Sequence, residues 1–357
     1  MERSIMNGAK VAEAIEREKV FVGIDVHKKR YALTAICEAR PVKRWSKPPD
    51  NQALCRKLKE DCSGKRILSV YEAGFSGFVL HRALEEAGIE NIVVHPAHVA
   101  ANPGERVKTD KRDSLKLGIL LSKDLLRGIR IPTQEEEERR QLSRYRQQLV
   151  KERTRVMVQI RRRLYHFGYD VSEGILKRSE VKELLLQLPE GELKSCVISQ
   201  CRHWDFLEKE LKEINSELAQ QAKSCACEEL YRSVPGIGRV TARILATELG
   251  DLSQFQSEKA LFCFVGLTPT EHSSGERVRR GHISQQGNAT LRKVLVEAAW
   301  VAIKRDKGLR LVYSRISARA GAKRAIVAVA RKLIGRVRAV VRSGKPYEMR
   351  TEETLAA

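Results

Sequence analysis

Two sets of residues in this chain could do chemistry. The first lies in Gly266–Arg292, GLTPTEHSSGERVRRGHISQQGNATLR, where Ser273, Ser274 and Gly275 form a turn among Arg277, Arg279, Arg280 and Arg292. A hydroxyl ringed by guanidinium groups suits attack on a phosphodiester whose oxygens must be held. A polar surface loop would have the same composition. A serine hydroxyl also needs a base or a metal, and the stretch offers only His272 among mostly positive charges. The second set is acidic. Asp25 and Glu72 each end an apolar run, and Asp110 and Asp113 lie three apart on one face at the start of a helix. Singly, Asp110 reads as an N-cap, Asp113 as a partner of the helix dipole and Glu72 as a turn residue. Together the four could converge on Mg²⁺ or Mn²⁺, which would relieve the repulsion between their carboxylates. Two such ions about 4 Å apart are a general device for phosphodiester chemistry.

The elements that would position the acids alternate strand and helix. Residues 20–36 read as two strands joined by the polar turn His27-Lys28-Lys29-Arg30, with Val20, Val22 and Ile24 alternating before Asp25. Residues 66–71 form a further strand ending at Glu72, and a helix from Phe78 to Ala87 and a strand at 91–95 complete the pattern. After a loop holding Pro103-Gly104 comes a helix with Leu115, Leu117, Ile119, Leu120 and Leu121.

Beyond it, 134–166 is a long helix with Leu142, Leu149 and Val156 seven apart, acids at its start and arginines at its end. A second long helix is expected over Glu192–Leu230, where Trp204, Leu211 and Leu218 repeat the spacing with Leu207 and Ile214 between. The pair reads as an antiparallel coiled-coil arm that dimerises, or as a helical hairpin packed on its own domain. Pro235-Gly236-Ile237-Gly238, followed by Arg239 and an apolar helix, reads as a helix-hairpin-helix whose amides meet a phosphate, or as a tight turn between packed helices. From Lys304 to Lys345 basic residues recur at helical spacing (Arg310, Arg315, Arg319, Lys323, Arg324, Arg331, Lys332, Arg336, Arg338, Arg342), and Asp306 is the single acid. One face would be core and the other would meet phosphates.

The totals agree with a polyanionic partner. The 357 residues hold 67 Lys and Arg against 45 Asp and Glu, a net charge of +22. No apolar run is long enough to predict a membrane span, and the N-terminus has no apolar signal region. Eight cysteines without CxxC spacing point away from a zinc site or a disulfide framework and toward a reducing cytoplasm; Cys225-Ala-Cys227 reads as a helix end.

GIDVHK, YEAGFSG and RVKTDKRDS, in that order, resemble the ribonuclease-H-like domain of the DEDD transposases of insertion sequences, relatives of the invertase that flips pilin genes. GLTP, SSG, RVRRG, ISQQGN and the following alanine-rich helix resemble the second domain of the same family, so the likeness covers roughly residues 20–345. It implies a RuvC-like fold with Asp25, Glu72, Asp110 and Asp113 as metal-bound catalytic carboxylates. It also implies a catalytic serine, carried onto Ser274 ahead of Ser273 and, more distantly, Ser284. Where the family usually has a basic residue this chain has Gln285. A composite site is implied, in which the carboxylates and their ions activate Ser274 to form a phosphoserine–DNA intermediate. The family further implies an element-encoded guide RNA, which suits a chain with only 5% aromatic residues.

The expected fold is α/β plus α: an N-terminal extension (1–18), a RuvC-like domain (19–130), a coiled-coil arm (131–229), a mainly helical domain with the hairpin and serine motifs (230–347), and a tail (348–357). Nucleic acid is expected to meet Gly236, Gly238, Arg239, Arg277, Arg279, Arg280, Asn288, Arg292, Lys323, Arg324, Arg331 and Lys332. The expected function is a transposase or site-specific recombinase, a homodimer or homotetramer acting on element ends and target DNA in the bacterial nucleoid. A metal-dependent junction nuclease would need only the acids, and a non-catalytic nucleic-acid-binding protein only the hairpin and basic tail.

Overall fold

In KVFVGIDV the apolar residues alternate, and β1 (Lys19–Val26) accordingly buries Val20, Val22 and Ile24. The chain reverses through residues 27–30, where the His27 amide donates to the Arg30 carbonyl at 3.0 Å, into the antiparallel β2 (Tyr31–Cys37). The computed structural model describes residues 18–38, 40–99, 109–172, 174–223, 225–271, 279–284 and 286–349, in two units, Met1–Pro132 and Thr133–Ala357.

In the first unit β3 (Arg40–Lys47) pairs antiparallel with β2 as an exposed edge strand. The sequence reading passed over it because RPVKRWSK, with a proline and four cations, has no apolar alternation; charge and proline are what keep an edge from pairing further. Also unforeseen is α1 (Asn51–Asp61), whose N-cap Asp50 accepts from the Ala53 amide. The expected strand–helix–strand follows as β4 (Arg66–Glu72), α2 (Val79–Glu86) and β5 (Glu90–Val94). The sheet order is β3-β2-β1-β4-β5, with β4 parallel to β1 and β5 parallel to β4.

The helix α3 (Asp110–Ser122) packs on β1 and β2 by backbone contact. A Cβ on Gly23 would fall onto the Ser114 carbonyl and the Gly118 amide, and one on Gly118 would come within 2.8 Å of Ile36 Cδ1 and 3.2 Å of the Gly23 nitrogen. Beside this contact the buried hydroxyls of Thr34 and Ser114 share a hydrogen bond of 2.9 Å. Two glycines and a hydroxyl pair thus fix the helix on the strand that carries Asp25.

In the second unit, α4 (Gln134–His166) begins at a capping box of Thr133 and Glu136. It runs antiparallel to α6 (Glu192–Lys223), as the cross-links Arg146–Asn215 (2.6 Å), Arg153–Glu208 (3.2 Å) and Arg163–Gln200 (3.3 Å) show. Leu149, Val156 and Ile160 meet Trp204, Leu207 and Leu211 between them, and α5 (Arg178–Gln187) adds Val181 and Leu184. The expected helix 192–230 is two helices, since Cys225 is extended (φ −110°, ψ 92°) and caps a new one, α7 (Ala226–Ser233).

Then come α8 (Arg239–Leu249), α9 (Glu258–Phe264), the antiparallel pair β6 (Pro269–Glu271) and β7 (Arg280–Ile283), and α10 (Ala289–Arg305), α11 (Lys307–Ala320) and α12 (Ala322–Ser343). Leu245, Leu261, Leu291, Leu295 and Leu333 lie in their common core. No described helix is long and apolar enough to cross a membrane.

The glycine contact predicts an ordering. Gly23→Ala should cost about 3 kcal/mol in urea unfolding, because the obstacle is backbone. Gly118→Ala should cost less, because the Ile36 methyl can turn away. Equal or negligible losses would contradict close packing at this crossing.

Candidate functional site

Asp25 stands one residue beyond Ile24, which pairs with Tyr71, so Asp25 and Glu72 lie side by side at the C-terminal ends of parallel neighbours. That edge of a parallel sheet is where ligands gather. Thr109, whose hydroxyl accepts from the Arg112 amide, is the N-cap of α3, so the capping reading of Asp110 is corrected. Asp110 and Asp113 lie in the helix's first turn.

Two side chains from the turn between β1 and β2 link the carboxylates. His27 Nε2 lies 3.0 Å from Asp25 Oδ2 and 3.3 Å from Asp110 Oδ1, and Arg30 pairs with Asp110 through Nε at 3.0 Å and through Nη2. Asp25, His27 and Asp110 each bring a ligand atom within 4.8 Å of the others. The signal was available: Asp25 and His27 are two apart in extended chain, hence on one side of it.

Burial raises the Asp25 carboxyl above its ordinary value, and Asp110 and Asp113 push it further, against the pull of His27. Asp110 is instead held below its ordinary value, chiefly by the Arg30 hydrogen bond. Asp25 is therefore short of positive charge, and a hard oxygen-seeking divalent cation would meet that need. Asp25 and Asp110 fit such an ion, with His27 as a nitrogen donor and Asp113 and Glu72 at hand.

The serine stretch is flanked by two paired strands. β6 and β7 pair Pro269 with Ile283 and Glu271 with Arg280, the Ser284 amide donates to the Thr268 carbonyl at 2.9 Å, and Thr270 Oγ1 donates to the His282 carbonyl. The foot of the hairpin is tight. Gly287 is at φ +84°, and a Cβ there would come within 2.6 Å of the Phe264 and Cys263 carbonyls. Ser273, Ser274, Arg277 and Gln285 lie outside the described residues, as does the side chain of Arg280.

Behind that foot sits Glu248, 3% exposed. It accepts from Arg144 Nε and Nη2 at 2.7 and 2.9 Å and from Asn288 Nδ2 at 3.0 Å. Asn288 Oδ1 also accepts from the Thr290 and Leu291 amides as the N-cap of α10, so the side chain expected on nucleic acid is engaged within the fold. Arg292 donates to the Gln286 carbonyl at 3.2 Å.

The two glycines of the PGIG turn differ. Gly236, at φ +88°, has no room for a Cβ against the Ala298 carbonyl and the Ala302 amide, the behaviour of a turn between packed helices. Gly238 caps α8 with open space where its Cβ would be, and Arg239 beside it is exposed.

The basic tail is less uniform than its periodicity suggested. Arg338 is buried and donates to the Phe255 and Gln256 carbonyls. Arg336 pairs with buried Asp306 at 2.7 Å, and Arg310 donates to the Ile303 and Lys304 carbonyls. Lys323, Arg324 and Lys332 are exposed, while Arg331 lies 4.5 Å from the centre of the Phe262 ring. Short stretches of carbonyls at helix ends and loops claim arginines that the period alone assigned to solvent.

Residues 228–314 match the family described as Transposase IS116/IS110/IS902 family, and residues 22–167 match a second transposase family, of the DEDD type. The protein y4qE of Sinorhizobium fredii, which carries a transposase name, is 30% identical over 96% of this chain and 92% of its own. The transposase for insertion sequence element IS1111A of Coxiella burnetii is 27% identical over 87% of this chain and 86% of its own. The pilin gene-inverting protein of Moraxella lacunata is 27% identical over 73% and 75%. A RuvC chain of T. thermophilus from a Holliday junction complex aligns with 31% of this chain and 99% of its own at 10% identity, with a TM-score of 0.24, too low to argue from.

The acid cluster makes a claim that Mn²⁺ titration can check. Asp25→Asn should weaken binding about tenfold or more. Arg30→Ala should tighten it, because the guanidinium competes for Asp110. Binding should strengthen with rising pH through a window above the ordinary aspartate value, as the raised Asp25 carboxyl loses the proton that competes with the ion. Tighter binding by Asp25→Asn would dismiss the cluster as a metal site.

Proposed function

The chain belongs to the IS110-type family of DEDD insertion-sequence transposases, and from that premise we propose that it cuts and rejoins DNA with two chemistries, a carboxylate-held divalent metal and a serine nucleophile. The observation that carries the reading is the meeting of Asp25, Asp110 and His27 at the C-terminal edge of the first unit's sheet. The sheet order, with an antiparallel β1-β2-β3 meander followed by parallel β4 and β5, supports a ribonuclease-H-like reading of that unit.

In this reading Asp25, Glu72, Asp110 and Asp113 would hold the ions. A bound Mg²⁺ or Mn²⁺ supplies Lewis acidity and charge neutralisation at the phosphate. Arg30 offsets the charge of Asp110, and His27 holds Asp25 and Asp110 together by hydrogen bonding, the contacts that a bound ion would replace. Ser274 attacks phosphorus, so one P–O bond of the strand breaks as the Oγ–P ester forms, and the serine proton ends on the departing sugar oxygen. The ester keeps the energy of the broken bond for rejoining. Arg279, exposed at the foot of β7, and Arg277 hold the phosphate oxygens.

Exposed Arg239, Lys323, Arg324 and Lys332 add backbone contacts that give affinity and register without reading sequence. Sequence choice is assigned to an element-encoded RNA, and strand exchange to a homodimer or homotetramer. Phe75, 72% exposed three residues after Glu72, offers a stacking face beside the acids.

Trapping with DNA and Mn²⁺ should yield a covalent adduct that peptide mapping places on Ser274. Ser274→Ala should abolish the adduct, and Asp25→Asn should lower its yield at least a hundredfold. Full cleavage by Ser274→Ala without an adduct would select the metal-dependent nuclease instead, and an adduct on tyrosine would overturn the serine mechanism.

A further inference from the structure

Cys225-Ala-Cys227, read from sequence as a helix end, brings two thiols into contact. Their Sγ atoms are 3.3 Å apart, against a disulfide bond length of about 2.05 Å. The approach arises from the backbone: Cys225 is the extended N-cap of α7 and Cys227 its second helical residue, so both side chains fold back over the helix start. Both are partly buried and pack on the helical core.

The two thiols are electrically unequal. The Cys227 hydrogen bond holds the Cys225 thiol below its ordinary value, aided by the Glu228 amide and by buried Arg243. The same contact holds Cys227 above. The surroundings favour a thiolate on Cys225 with Cys227 donating to it, the division of labour of an attacking and a resolving cysteine. The other buried thiols lack a second sulfur among the described contacts. Burial pushes Cys55, Cys62 and Cys201 up, and the hydrogen bond that Cys37 donates to Glu18 does the same there.

We propose that Cys225 and Cys227 form a reversible oxidation site that a peroxide converts to an intramolecular disulfide. The Cys225 thiolate attacks one peroxide oxygen; the O–O bond breaks and hydroxide leaves, taking up a proton to become water. The Cys225 sulfenic acid that results is attacked by Cys227 sulfur, which gives up its proton as hydroxide leaves Cys225. Two thiols and one hydrogen peroxide become one disulfide and two waters. A dithiol reductant restores both thiols. The inference is independent of the proposed recombination chemistry, since none of the groups invoked there takes part.

The test uses the full chain with exposed Cys196 and Cys263 replaced by serine, which removes intermolecular cross-linking through them. Brief hydrogen peroxide should remove two hydrogen atoms per chain, peptide mapping should place the new bond between residues 225 and 227, and dithiothreitol should reverse it. Adding Cys227→Ser should stop the reaction at a dimedone-trapped sulfenic acid on Cys225. Adding Cys225→Ser should leave Cys227 unoxidised at the same dose. Circular dichroism establishes that the variants fold; should either fail, the peptide map of the parent chain decides by itself. Oxidation to sulfinic acid without a 225–227 bond, or oxidation of Cys55, Cys62 or Cys201 before this pair, would overturn the proposal.

Discussion

The contact on which the first unit depends is the one between two glycines. Without a Cβ at Gly23 or Gly118, α3 approaches β1 to backbone distance, and its first turn then arrives beside the end of that strand. A larger residue at either place would hold the helix off and carry Asp110 and Asp113 away from Asp25. The hydrogen bond between Thr34 and Ser114 favours one register for the crossing, since sliding the helix would separate these two buried hydroxyls. Geometry at the carboxylates is therefore decided some residues away, by atoms with no chemistry of their own.

Much of this was legible in the sequence. Alternation marked β1 and an apolar run marked β4, which put Asp25 and Glu72 at strand ends, while β2 was legible as an apolar stretch buried along its whole length. The helix carrying Asp110 and Asp113 was legible too, although Thr109 rather than Asp110 caps it. Apart from α1, whose Leu54, Cys55 and Leu58 keep a helical spacing, what escaped the sequence lacked periodicity. The charged edge β3 has no apolar face, and His27 and Arg30 look like any polar turn until the chain folds back on Asp110. The basic tail misled in the opposite sense. Helical period sorts residues by face, but it cannot see the Phe255 and Gln256 carbonyls that hold Arg338 inside, or the Ile303 carbonyl that engages Arg310 at the surface.

In the second unit the long helical pair was foreseen by its seven-residue spacing, and the break after Lys223 was not. The apolar spacing continues through this segment, and the extended conformation of Cys225 marks the start of the second helix. That same residue then starts α7 and meets Cys227, so the interruption makes the thiol pair possible. A continuous helix would have directed residues 225 and 227 about 200° apart around its axis.

Glu248 has a mechanical consequence. Hydrophobic surfaces can slide past one another at little cost, whereas hydrogen bonds to a carboxylate are directional. Arg144 on α4 and Asn288 at the hairpin foot grip the same buried carboxylate from two sides. The arm cannot creep along α8 without releasing the strut under the serine hairpin. Torque on the arm and displacement of the hairpin base thus share one degree of freedom.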